Sequence, residues 1–193
     1  MVKVNIILTL ACVAASSSAY DGHVERELIL SGEIVPIGTK TYFADDFMLM
    51  ELERPSKYKP VRLATADDSD FKPGKMAATM GWGTNTETNG NASAKLQRMD
   101  VPLVSDEACI AYTTVGASMV CAVGVANRDS CGGDSGGPLI VESADGEDVL
   151  IGVVSWAKND TCGREGYYGV YSRVSSARPW IDAITGGSGT CLA

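Results

Sequence analysis

Ser135 stands in the run Asp129-Ser-Cys-Gly-Gly-Asp-Ser-Gly-Gly-Pro138, with paired glycines before and after it. Such a run permits a tight backbone turn that no β-branched residue could make. A turn of this kind aims the N–H groups of Gly133 and Ser135 into one small cavity. Two convergent donors are what the oxyanion of an acyl transfer requires. The same residues also suit a glycine-rich surface loop with an incidental serine, so the surroundings of the run must decide. A serine nucleophile further needs a base within hydrogen-bond reach, itself oriented by a carboxylate. The chain has one histidine, His23, far upstream of the run.

The elements that must position these residues read as short strands. Phe47–Leu52, Pro60–Leu63, Met76–Met80, Leu96–Val104, Leu150–Trp156 and Gly169–Val174 are apolar or alternating runs separated by turn residues. Asp67-Asp-Ser-Asp70 and Pro73-Gly74 read as a loop and a turn. Only Ala177–Thr185 reads as helical. Short strands with frequent turns predict an all-β barrel or sandwich. A composition of 45% hydrophobic and 21% charged residues argues against wholesale disorder.

Residues 1–19 read as a cleavable secretory signal. Lys3 precedes an apolar stretch from Asn5 to Ala15, and Ser16-Ser-Ser-Ala19 offers small residues for cleavage. The apolar stretch is short for a bilayer span, and acidic residues follow it. Loss of Lys3 would take the net charge from −8 to −9, which disfavours nucleic acid as a partner. Cys12 would leave with the signal, so five of the six cysteines would remain: Cys109, Cys121, Cys131, Cys162 and Cys191. An odd number in an oxidising compartment implies two bridges and one leftover thiol, or an intermolecular bond. Asn91-Ala-Ser93 and Asn159-Asp-Thr161 are glycosylation sequons. No metal-binding or cofactor motif is present, and neither group is expected.

From about Asp46 to Ile184 the chain resembles the trypsin/chymotrypsin family. The residues are Gly81-Trp-Gly83, Val101-Pro-Leu-Val-Ser105 leading to Cys109, Met119-Val-Cys-Ala122, the run around Ser135, Ser155-Trp156, Gly169-Val-Tyr-Ser-Arg-Val174 and Trp180-Ile181. The resemblance implies two six-stranded antiparallel barrels with the active site between them. By that resemblance Ser135 is the nucleophile, Gly133 and Ser135 form the oxyanion hole, and Asp46 is the buried catalytic aspartate. Asp134 matches the carboxylate that pairs with a new N-terminus after zymogen cleavage. Asp129 matches the base of a pocket for Arg or Lys side chains, with Ser155, Trp156, Ala157 and Gly169 on its walls; Ala157 stands where the family usually has glycine and would narrow the pocket mouth, so Asp129 reads equally as an ordinary loop carboxylate. Bridges Cys109–Cys121 and Cys131–Cys162 follow in the same way, and Cys191 has no family partner.

The pattern breaks upstream of Asp46. Only sixteen residues separate Ile29 from Asp46, and none is histidine. About five strands belong there in the family, which would take at least roughly 35 positions. The fold expected is therefore a trypsin-like β-barrel protein with a truncated N-terminal barrel, an intact C-terminal barrel and a C-terminal helix. Residues 20–28 are expected to be a leader or propeptide-like segment, and residues 29–193 the protease-like domain. Glu27-Leu28 offers no basic residue before Ile29 for a trypsin-like activator. Loss of the base costs about six orders of magnitude in kcat in such triads. An inactive homologue is the expectation, the alternative being a trypsin-like endopeptidase cleaving after Arg or Lys.

Within the superfamily the chain resembles the secreted glucanase inhibitor proteins of oomycetes. The residues are Arg26-Glu-Leu-Ile29, Val35-Pro-Ile-Gly-Thr-Lys-Thr-Tyr42, Arg54-Pro-Ser-Lys57, Ala66-Asp-Asp-Ser-Asp70, Lys72-Pro-Gly74, Val125-Ala-Asn127, Asp148-Val-Leu-Ile-Gly152 and Tyr171-Ser-Arg-Val-Ser-Ser-Ala177. Most are loop residues that a protease fold does not demand. The resemblance implies a secreted virulence effector whose partner is a plant endo-β-1,3-glucanase in the host apoplast, with no nucleic-acid or membrane partner.

Overall fold

The computed structural model describes residues 6–7, 46–51, 58–87, 90–124, 126 and 128–185. Nine strands and two α-helices run through them. They are β1 (Ile6–Ile7), β2 (Met50–Glu51), β3 (Arg62–Leu63), β4 (Met76–Gly81), β5 (Gln97–Val104), α1 (Asp106–Tyr112), β6 (Met119–Val123), β7 (Pro138–Val141), β8 (Val149–Ala157), β9 (Tyr168–Arg173) and α2 (Val174–Thr185). Strands β8, β7, β4, β5, β6 and β9 pair antiparallel in that order, and β9 returns to β8. The result is a closed six-stranded barrel. β3 adds in parallel to β8 through Arg62–Val149 and Leu63–Leu150. β1 and β2 form a separate two-residue pair, and β1 falls in the stretch expected to be cleaved.

The apolar runs explain the closure. In β8 the first six residues, Val149 to Val154, are all buried, so the strand has no solvent face. One side looks into the barrel, where Leu139, Val120 and Tyr171 pack. α2 contacts the strand from outside and buries Val174, Ala177 and Ile181 in the same core. Full burial of each such aliphatic side chain contributes about 1.5–3 kcal/mol. Gly152 has no room for more, since a Cβ there would lie 3.1 Å from the Tyr171 Cβ and 3.3 Å from Leu139.

Three elements depart from those expected. α1 was not expected. Its start is set by Ser105, whose hydroxyl accepts the Ala108 N–H at 3.2 Å, with Asp106 and Glu107 against the positive end of the helix. Among the described residues of the run Phe47–Leu52, Met50–Glu51 is extended and paired, and Asp46–Leu49 is irregular chain that reaches the barrel end. α2 begins at Val174 rather than Ala177 and carries Pro179 within it. Residues 29–45, expected to supply what remains of a first barrel, lie outside the described residues, as do the leader 20–28, His23 and Cys191.

Candidate functional site

The loop after Cys131 is shaped by its glycines. Gly133 has φ +93° and Gly136 has φ +85°, values that side-chain-bearing residues rarely adopt. Gly136 N–H donates to the Val154 carbonyl at 2.9 Å, and Val154 N–H donates to the Gly137 carbonyl at 2.9 Å. Gly137 N–H closes a turn on the Asp134 carbonyl at 2.8 Å. These bonds lace the loop to the end of β8. Ser135 and Gly133 are exposed, and neither of their N–H groups is used by an acceptor among the described residues.

Asp134 is held in a cradle built by the Gly81-Trp82-Gly83 turn at the end of β4. Its carboxylate accepts the Gly83 N–H at 2.7 Å and the Cys131 N–H at 2.9 Å. A Cβ at Gly81 would stand 2.1 Å from the Asp134 Oδ1, and one at Gly83 would stand 2.4 Å from its Cγ. Only glycine leaves that space. Thr84 N–H, donating to the Gly132 carbonyl at 2.8 Å, ties the same turn to the loop.

Asp46 lies at the same end of β8. Its Oδ2 accepts hydrogen bonds from the Ser155 hydroxyl and, at 3.0 Å, from the Ser172 hydroxyl on β9. Ser172 is fully buried. Ser172 carries no catalytic signal in the sequence. The one hint is a hydroxyl between Tyr171 and Arg173 in β9, which burial obliges to find a partner.

Asp129 sits where β8 and β9 diverge. Its Oδ2 accepts the Gly163 N–H at 3.4 Å. A Cβ at Gly124 would lie 2.7 Å from that oxygen, and one at Gly169 would lie 3.4 Å from Oδ1. Burial away from water pushes its carboxyl up to about 6; the Gly163 and Ser130 N–H groups oppose the shift, and the Asp134 charge adds to it. Ala157 pairs directly with Gly169, and Trp156, 37% exposed, pairs with Val170. The Ala157 backbone is thus one strand away from the glycine that borders Asp129.

The two expected bridges, Cys109–Cys121 and Cys131–Cys162, are both present. The first joins α1 to β6, and the second ties the Ser135 loop to the segment after β8. A cavity of about 540 Å³ opens beside this loop, with Gly81, Gly83, Thr84, Asp129, Asp134 and Arg164 in its lining. Ser135, Ser155, Trp156 and Ala157 are not part of that lining. The lining therefore takes in Asp134 and Asp129 but not Ser135. Asn91 and Asn159 are both exposed, Asn159 with φ +58°.

The barrel, the paired half-cystines and the glycine-shaped serine loop together define a chymotrypsin-type serine protease scaffold. Residues 8–181 match the family model described as Trypsin, and the chain belongs to the trypsin family. It is 48% identical over 141 residues to glucanase inhibitor protein 2 of Phytophthora sojae, covering 72% of this chain and 48% of that protein. It is 44% identical to glucanase inhibitor protein 2 of Phytophthora infestans, covering 74% of this chain and 56% of that protein. Glucanase inhibitor protein 1 of P. infestans is 36% identical over 94% of this chain and 74% of its own length. The chain spans about half the length of the first two of these relatives.

Proposed function

We propose that the protein is a secreted, proteolytically inactive serine protease homologue that binds a plant endo-β-1,3-glucanase and suppresses plant defence. The observation that carries this reading is the 48% identity to a protein named as a glucanase inhibitor, within the trypsin family. The sixteen residues before Asp46 contain no histidine, which supports a non-catalytic role. The two disulfides fit an oxidising, extracellular destination. The catalytic residues then serve as a relic: Ser135 and Asp46 of the triad, Gly133 and Ser135 of the oxyanion hole, and Asp129 of the specificity pocket. The exposed rim around them supplies the docking surface, as loops carried on a rigid scaffold commonly do.

A pull-down of the mature protein with purified plant endo-β-1,3-glucanase, read alongside residual glucanase activity, tests the reading. Saturable binding with loss of glucanase activity is expected. A cooperatively folded protein that neither binds nor inhibits would sink it. Asp129, at the base of the pocket, favours a second reading, a trypsin-like endopeptidase. That reading requires Ser135 to react with a fluorophosphonate when no other base is added.

A further inference from the structure

The two disulfides lie in different surroundings. Cys109 and Cys121 are each 1% exposed and pack with Val104, Met119 and Val170 in a small apolar core. Cys131 is half-buried, Cys162 is 9% exposed, and both line the cavity of about 540 Å³ beside the Ser135 loop. A small molecule entering that cavity meets the second bridge and not the first. Arg98, Arg128 and Arg164 match Glu87, Asp129 and Asp134 in number along its lining, so an anionic thiolate does not face a uniformly negative wall. The rate of thiol–disulfide exchange depends on which sulfur the attacking thiolate can reach. What the second bridge holds is equally particular. The Cys131 N–H is one of the two backbone donors to the Asp134 carboxylate, at 2.9 Å, and the Asp134 N–H donates back to the Cys131 carbonyl at 3.0 Å. On the far side of the bridge Gly163, next to Cys162, donates to Asp129 at 3.4 Å, which is long for such a bond.

We propose that Cys131 is a modification site for small monothiols of the glutathione type, and that opening its bridge slackens the Asp134 cradle and the loop it holds. The monothiol, as its thiolate, attacks the Cys131 Sγ. The Cys131–Cys162 bond breaks, a mixed disulfide forms at Cys131, and Cys162 leaves as a thiolate that takes a proton from water. A second monothiol thiolate attacks the outer sulfur of the mixed disulfide and releases Cys131 as a thiolate, which is protonated in turn. Two electrons have then passed from two monothiols, now joined as one disulfide, to the protein bridge, now two thiols. Cys109–Cys121, sealed in its apolar core, stays closed while the barrel is folded. With the covalent tie gone, the segment carrying Gly163 is held to Asp129 by its long hydrogen bond, and Cys131 can withdraw its N–H from Asp134. The inference concerns the loop itself and is independent of which protein the rim binds.

The test uses the folded, disulfide-intact protein with its free thiols first blocked, and graded reduced glutathione without denaturant. Newly freed thiols are alkylated, and peptide mass mapping locates them. Cys131 and Cys162 should be labelled at least about tenfold faster than Cys109 and Cys121, with glutathione trapped on Cys131 as the intermediate. Amide exchange at Gly83 and Cys131, the two donors to Asp134, should then quicken at least about tenfold while the β6 amides keep their protection. A Cys131→Ser, Cys162→Ser double variant should show the same fast exchange with no thiol present. The wild-type measurement decides the matter where that variant does not fold. Equal labelling of all four cysteines, or glutathione trapped on Cys162 instead, overturns the assignment of the site. Selective reduction that leaves exchange at Gly83 and Cys131 unchanged overturns the coupling to the loop. Glucanase binding is measured separately, so failure of either idea leaves the other standing.

Discussion

Two charged side chains are withdrawn from water at opposite ends of β9, and the fold treats them differently. At the C-terminal end, the Arg173 side chain is 6% exposed. Each of its three nitrogens has a partner. Its guanidinium bonds the Asp68 and Asp106 carboxylates and donates to the Met119 carbonyl at 3.1 and 3.0 Å. It also lies over the Phe71 ring at 4.8 Å. At the N-terminal end, beside Gly169, Asp129 accepts backbone N–H groups from Gly163 and Ser130 and feels a second carboxylate in Asp134. A buried charge paired at each of its nitrogens is a staple between elements. A buried charge left under-compensated beside a cavity is the pattern of a ligand-facing site. Arg173 belongs to β9 itself, and Asp129 to the loop between β6 and β7 that meets the other end of that strand.

The largest effect should come from removing the staple. Arg173→Met withdraws one guanidinium from Asp68, Asp106 and the Met119 carbonyl together. Asp106 is 51% exposed and can return to water, so the loss should be about 2–3 kcal/mol, at the lower edge for a broken buried pair. Urea unfolding midpoints check it, and an unchanged midpoint would break the contrast.

The opposite sign is expected at Asp129. Its folded pKa of about 6 lies above the ordinary 3.8, so the folded protein binds the proton more readily than the unfolded chain. Stability should therefore rise as pH falls from 7 through 6 toward 4. Asp129→Asn should stabilise by about 1–3 kcal/mol at pH 7 and flatten that slope. Thermal melts across pH 4–8 read it, and a destabilised variant would mean that Asp129 has a cationic partner.

Asp70 should give the smallest effect. Its pKa is lowered to about 2, first by hydrogen bonding to Arg62 and further by the Thr65 N–H and hydroxyl. A depressed carboxylate contributes stability that is full above the ordinary value and lost as pH falls through about 2. With Arg62 35% exposed, the loss should be about 1 kcal/mol, and Asp70→Asn should show it at neutral pH with a shallower acid limb. Acid denaturation monitored by circular dichroism separates the two carboxylates by the sign of their slopes.

Most of the barrel was legible in the sequence because its strands are apolar runs closed by turn residues. β4, β5, β8 and β9 fall within a few residues of the runs that announce them. β7 was hidden: its four residues begin with Pro138 at the end of the glycine run, and nothing alternates over so short a span. α1 was hidden for the same reason, since seven residues cannot display a helical period and only the Ser105 cap marks it. At the site, Ser135, Gly133 and Asp129 were readable as a local motif. The partners of Asp46 were not, because Ser172 lies 126 residues from it and only folding brings the two together. Asp134 matches the carboxylate that pairs with a new N-terminus, and with no basic residue before Ile29 that partner is not expected; its backbone cradle from Gly83 and Cys131 becomes visible only in the fold.

The strand order has a consequence for how the chain reaches this state. β4 and β5 are neighbours in sequence and can form a hairpin early, but β4 must wait for β7, whose Ile140 pairs with Ala78. Until then the outer edge of β4 is open, and an open edge invites pairing with another chain. Closure comes last, when β9 meets β6 and β8 together. Such long-range pairing is slow, because loop-closure entropy is lost before contacts repay it. The Cys131–Cys162 bridge spans 31 residues and encloses β7 and β8, so oxidation shortens that wait for the part of the chain that arrives latest.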